Sequence, residues 1–81
     1  MEEDDEGEGQ GQVGLIALHV NGEPREIDAG TTVVGLLESM GLGAKWVVVE
    51  RNGEPVEKRD MATTVLAEGD RLELVRAVAG G

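Results

Sequence analysis

Cysteine, phenylalanine and tyrosine are missing from this chain, and histidine and tryptophan occur once each. Without thiols there is no disulfide, no thiolate metal site and no cysteine nucleophile. His19 is the only imidazole, so a transition-metal centre built from nitrogen and sulfur donors is not expected. The near absence of aromatics removes the usual platform for stacking single-stranded nucleic acid, and it leaves the core to Val, Leu, Ile and Met. Basic residues are also scarce: 7 Lys and Arg face 17 Asp and Glu, a net charge of −10. That balance argues against DNA, RNA or an anionic membrane surface and suits a basic protein partner. No apolar run is long enough to span a bilayer. The first residues are acidic where a secretion signal needs positive charge followed by an apolar stretch, so the expected location is cytoplasmic. Eighty-one residues allow one small domain.

What is present begins with an acidic segment. Residues 1–12 carry six of the 17 acids, three glycines and nothing apolar after Met1. Such a segment cannot offset its ordering entropy by burial, and it is expected to be a disordered tail. The remainder holds 11 acids and 7 bases, a net of only −4, so the acidity belongs largely to the tail. Residues 13–78 are expected to form the domain and 79–81 a flexible Gly-Gly tail.

Val13–Val20 reads as a first strand, with Ile16, Leu18 and Val20 on one face and Leu15, Ala17 and His19 on the other. Asn21-Gly22 signals a tight turn. Pro24–Asp28 returns as a second strand with Ile27 inward; because Pro24 cannot donate a ladder bond, the strand is expected to be an edge or to begin at Pro24. Thr31 or Thr32 can cap a helix whose Val33, Leu36, Leu37 and Met40 form one apolar stripe, with Gly41 as the stop and Leu42 folding back on the core. Gly35 inside it costs about 1 kcal/mol relative to Ala. Lys45–Glu50 reads as a third strand, apolar on both faces. Asn52-Gly-Glu-Pro55 repeats Asn21-Gly-Glu-Pro24 and reads as a second hairpin turn, too short a repeat to indicate duplication. Val56 suggests a short fourth strand, Met61 anchors a polar connection, Val65-Leu66 returns to the core, and Arg71–Val78 is the last strand. Asp70 reads as a turn residue.

One helix on a mixed sheet is a two-layer α+β arrangement. The first and last strands can pair in parallel at the centre, which makes the expected fold a ubiquitin-like β-grasp of four to five strands. The helix is expected to cover Leu18, Val20, Ile27, Leu72 and Leu74. The opposite face would expose Leu15, Ala17, Val48, Val75 and Ala77, and an uncovered apolar face on so small a domain suggests a partner-docking surface.

No side chain is assigned a catalytic or metal-binding role. There is no nucleophile beside a base, no metal cluster and no phosphate-cradling loop; the spaced glycines Gly7, Gly9, Gly11 and Gly14 follow no strand and lack a lysine. Glycine makes up 13 of the 81 residues, about twice its usual share of ~7%. The pair Gly80-Gly81 follows directly on the last strand through Ala77-Val78-Ala79, and a tail of such small residues can thread a narrow channel. Its carboxylate is inert until another enzyme activates it, for instance as an acyl-adenylate.

Three stretches, Leu18-His-Val-Asn-Gly-Glu23, Gly30-Thr-Thr-Val-Val-Gly-Leu-Leu37 and Val47-Val-Val-Glu-Arg-Asn-Gly53, together with Thr64–Gly81, resemble the sulfur carrier protein of thiamine (thiazole) biosynthesis, a ubiquitin-like β-grasp family. The resemblance covers residues 15–81. Many members end in three glycines, where this chain has Ala79 before the pair. The resemblance implies a carrier that is not itself an enzyme. It binds no cofactor. An E1-like adenylating enzyme uses ATP and Mg²⁺ on the Gly81 carboxylate, and a persulfide from a cysteine-desulfurase-type donor converts it to a thiocarboxylate. Thiazole synthase accepts the sulfur, with Ala79, Gly80 and Gly81 threaded into each partner. The molybdopterin synthase small subunit shares this chemistry but often has an aromatic-Pro-Pro run before its glycines; Val75-Arg-Ala-Val78 stands there here. A tRNA-thiolation carrier, a protein modifier and a non-catalytic β-grasp binding module are the other readings.

Overall fold

Asn21 and Asn52 have φ of +53°, and Gly22 and Gly53 have φ of +84° and +87°. Two successive left-handed residues give the mirror-image turn whose twist matches that of paired strands, so each Asn-Gly pair closes an antiparallel hairpin. The first joins β1 (Leu15–Val20) to β2 (Glu23–Asp28). The second joins β3 (Val47–Arg51) to β4 (Glu54–Val56). A computed structural model describes residues 14–76. The expectations for the acidic segment 1–12, for Val13 and for residues 77–81, including Ala77, Ala79, Gly80 and Gly81, lie outside the described residues.

Between the hairpins lies helix α1 (Val33–Ser39). Of the two candidate caps, Thr32 takes the role, its side-chain oxygen accepting from the Gly35 N–H at 3.1 Å. At the other end Gly41 adopts φ +74°. Leu42 N–H donates to Leu37 O at 2.9 Å and Gly41 N–H to Glu38 O at 3.0 Å. This is a Schellman closure, and it folds Leu42 back against the core.

The last strand, β5 (Arg71–Arg76), lies in the middle of a five-stranded sheet of order β2-β1-β5-β3-β4. It runs parallel to β1, pairing His19 with Arg71 and Val20 with Leu72. It runs antiparallel to β3 from Arg51 opposite Leu72 to Val47 opposite Arg76. This is the β-grasp topology expected, and β2, with Pro24, is an edge. The helix-side face carries the core: Leu18, Val20, Val47, Val49 and Leu72 from the sheet, Val33, Leu36 and Leu37 from the helix, and Met61 and Leu66 from the connection are buried. Ile27 and Leu74 pack at its margin. Leu66 returns to the core as expected, while Val65 stays exposed and bridges Thr32.

The third strand begins later than the β-branched run suggests. Lys45 and Trp46 belong to a 3-10 turn, Ala44–Trp46, closed by Trp46 N–H to Gly43 O at 2.9 Å. The Lys58 ammonium donates to the carbonyls of Ala44 (3.2 Å) and Val47 (2.9 Å), holding that turn from a segment far along the chain. A tertiary contact therefore overrides the local strand preference of Lys45-Trp46.

Candidate functional site: strand β5 and its anchorage

The terminal glycines singled out by the sequence follow β5 in the chain, and the expected docking residues lie on β5 and its two neighbours, β1 and β3, which hold it in place. Its flanking strands each end in an Asn-Gly turn, and both asparagines grip β5. Asn21 donates its backbone N–H to Leu72 O at 2.8 Å, and its side-chain oxygen accepts from Leu74 N–H at 2.8 Å. On the other side Asn52 donates its backbone N–H to Arg71 O at 2.7 Å, and its side-chain oxygen accepts from Arg71 N–H at 2.9 Å. The Asn-Gly-Glu-Pro repeat therefore does more than close hairpins. Asparagine tolerates the left-handed conformation and has a short amide that reaches a neighbouring backbone, so one residue type makes the turn and clasps the adjacent strand.

Asp70, read from sequence as a turn residue, is the buried charged group at the root of β5, 5% exposed. Its carboxylate accepts from Arg51 Nε at 2.9 Å, Asn52 Nδ2 at 3.0 Å and the Ala67 N–H at 2.8 Å. Burial by itself would raise the Asp70 pKa. The hydrogen bonds from Ala67, Asn52 and Arg51, with the Arg51 charge, outweigh it and hold the carboxyl below its ordinary value. Sequence reasoning missed this group because the donors lie some 18 residues upstream. The one available signal was an Asp just ahead of a core strand in a loop with room to turn back.

The expected docking residues separate into two places. Val48 and Val75 face each other directly across β3 and β5 and are 49% and 61% exposed. Leu15 and Ala17 are also exposed on that face, but at its other end. Val20 pairs with Leu72; Leu15 lies five positions before Val20, while Val75 lies three beyond Leu72. The parallel pairing of β1 and β5 thus sends the two apolar pairs to opposite ends. Trp46, 53% exposed just before β3, adds to the Val48 end, with the Lys45 ammonium 5.4 Å from its ring centre. His19 is exposed on the same face. Among the described residues no three His, Asp or Glu side chains come together as a metal site, and no helix is long and apolar enough to cross a membrane.

The chain resembles known proteins along most of its length. Residues 18–81 match the ThiS family. Two proteins named thiazole synthase, from Magnetococcus marinus and Paramagnetospirillum magneticum, are each 42% identical over 66 residues, 82% of this chain. The chain spans only 20% of the length of those two relatives. The sulfur carrier protein ThiS of Thermus thermophilus is 37% identical over 62 residues, covering 76% of this chain and 95% of that protein. The crystal structure of a thiamine biosynthesis protein (ThiS) from Geobacter metallireducens superimposes with a TM-score of 0.70 at 33% identity, covering 82% of this chain and all of that one. An NMR structure of a thiamine biosynthesis protein from the same organism gives 0.66. Sequence, topology and the strand that leads to Gly81 agree: the chain belongs to the ThiS family.

Proposed function

We propose that this protein is a sulfur carrier of thiamine biosynthesis, and that it carries sulfur as a thiocarboxylate on Gly81. The observation that carries the reading is the family match, which runs through β5 to Gly81 itself. In the proposed cycle an E1-like enzyme uses ATP and Mg²⁺ to join the Gly81 carboxylate to AMP, releasing pyrophosphate. The terminal sulfur of a persulfide, formed by a cysteine-desulfurase-type donor, attacks the acyl carbon, and AMP departs. A second thiolate then cleaves the resulting acyl disulfide and leaves the thiocarboxylate. All thiols in these steps come from partners, since the chain has no cysteine. Thiazole synthase receives the sulfur; support for that partner comes from the relatives of that name, which contain a stretch 42% identical to this chain.

In this reading the protein is a co-substrate of cytoplasmic enzymes and performs no catalysis. Gly80 and Gly81, with Ala79 before them, enter each enzyme in turn, while the clasped root of β5 keeps the domain folded outside. Incubation with its E1-like enzyme, MgATP and a persulfide donor should raise the intact mass by one oxygen-to-sulfur exchange. Deleting Gly81 should abolish that change and leave the thermal melt where it was. An unchanged mass with the parent protein would refute the reading, and a large fall in the melt on deletion would mark Gly81 as structural.

A further inference from the structure

Glu50 and Glu73 stand directly opposite each other in the β3–β5 register, both exposed on the face away from the helix. Like charges directly opposed across a sheet destabilise it. The ion pairs among the described residues, Arg51–Asp70 and Arg59–Glu57, involve neither of them. Arg71 lies on the same face two residues before Glu73 without forming an ion pair there. The next cross-strand pair along this face is Val48 and Val75, both exposed. The strip therefore presents two carboxylates side by side and then two valines, on the strand whose sequence continues to Gly81.

We infer that this strip is the docking surface for thiazole synthase, with one arginine or lysine of that enzyme shared by Glu50 and Glu73 and its apolar side chains seated on Val48 and Val75. The inference rests on the sulfur-carrier reading. Three observations select this occupant. The opposed carboxylates are an electrostatic fault that a single basic side chain would relieve, because cross-strand neighbours stand close enough to share one cation. The strip is continuous along β5 with the residues that must reach the enzyme's acceptor. The relatives named thiazole synthase carry a sequence like this one within their own chains. Leu15 and Ala17, at the far end of the face, lie outside the docking surface.

The test is calorimetric titration of the full chain with purified thiazole synthase from the same source, at low and high salt. The double variant Glu50→Gln/Glu73→Gln should bind at least about tenfold more weakly, with a smaller salt dependence than the parent. Its thermal midpoint should rise by about 1–5 °C, because the repulsion is gone. Leu15→Ser should bind within about twofold of the parent, as a substitution outside the interface. Parent-like binding by the double variant overturns the inference, as does weakened binding accompanied by a lower melt. If the double variant binds the synthase normally but loses sulfur loading, the inference is overturned in favour of the adenylating enzyme at this surface. A parent that loads sulfur yet does not bind the synthase overturns the docking surface alone, whereas a parent that neither loads nor binds overturns the carrier reading with it.

Discussion

The two ends of β5 are built differently. At its root the strand has neighbours on both sides. β1 pairs with Arg71 and Leu72, β3 pairs opposite, Asn21 and Asn52 clasp the backbone, and Asp70 ties the preceding loop to Arg51. At its far end the pairing with β1 has stopped, and Val75 and Arg76 keep only β3 beside them. On the helix-side face burial follows the same gradient: Leu72 is buried, Leu74 half-buried and Arg76 exposed. One strand thus provides a fixed base and a less tightly held end, which suits the carrier role proposed above.

The contrast can be tested from its strongest point outward. Leu72→Ala should cost about 2–5 kcal/mol, as truncations of fully buried leucine do, read by chemical denaturation. A loss near zero would mean that the root is not where stability resides. Asp70→Asn should come next. Arg51 would lose its ionic partner, and one amide would replace an acceptor with a donor facing other donors, for a loss of about 1–3 kcal/mol at neutral pH. This loss should depend on acidity. The Asp70 carboxyl lies lower in the folded protein than in the unfolded chain. Its contribution is therefore complete above the unfolded value of about 3.9, and it fades as the pH falls through the folded value. The stability gap between parent and Asp70→Asn should accordingly narrow below about pH 4. A gap that stays constant down to strongly acidic pH would show that the carboxylate's charge contributes nothing. Val75→Ser, at the far end, should change stability by no more than about 0.5 kcal/mol; a larger loss would erase the distinction between root and tip.

Local patterns carried much of the fold. The alternation Ile16-Leu18-Val20, the stripe Val33-Leu36-Leu37-Met40 and the paired Asn-Gly signals are each confined to a few residues, and each formed the element they predict. Local reasoning erred where a distant group intervened. Lys45-Trp46 is drawn into a 3-10 turn held by Lys58. Asp70 does close the Ala67–Asp70 turn, as read, but its second role, as a buried partner of Arg51 and Asn52, was not foreseen. Leu15, Ala17, Val48 and Val75 are all exposed on the face expected, but they fall into two pairs at opposite ends of it. Alternation tells which side of a sheet a residue faces, whereas position along the sheet depends on register between strands.

The sequence by itself determined which residues turn inward, where the hairpins close and that Gly80-Gly81 follows the last core strand, because these depend on periodicities of two and 3.6 residues and on the conformations open to Asn and Gly. The tertiary structure decided that the two Asn-Gly turns lie on either side of β5 and clasp it. It also decided that Asp70 finds three donors and that Glu50 meets Glu73 beside Val48 and Val75. Apart from the local Ala67–Asp70 contact, those relations join residues some 18 to 53 positions apart, and only the packing of β1 and β3 against β5 brings them within hydrogen-bonding or cross-strand distance.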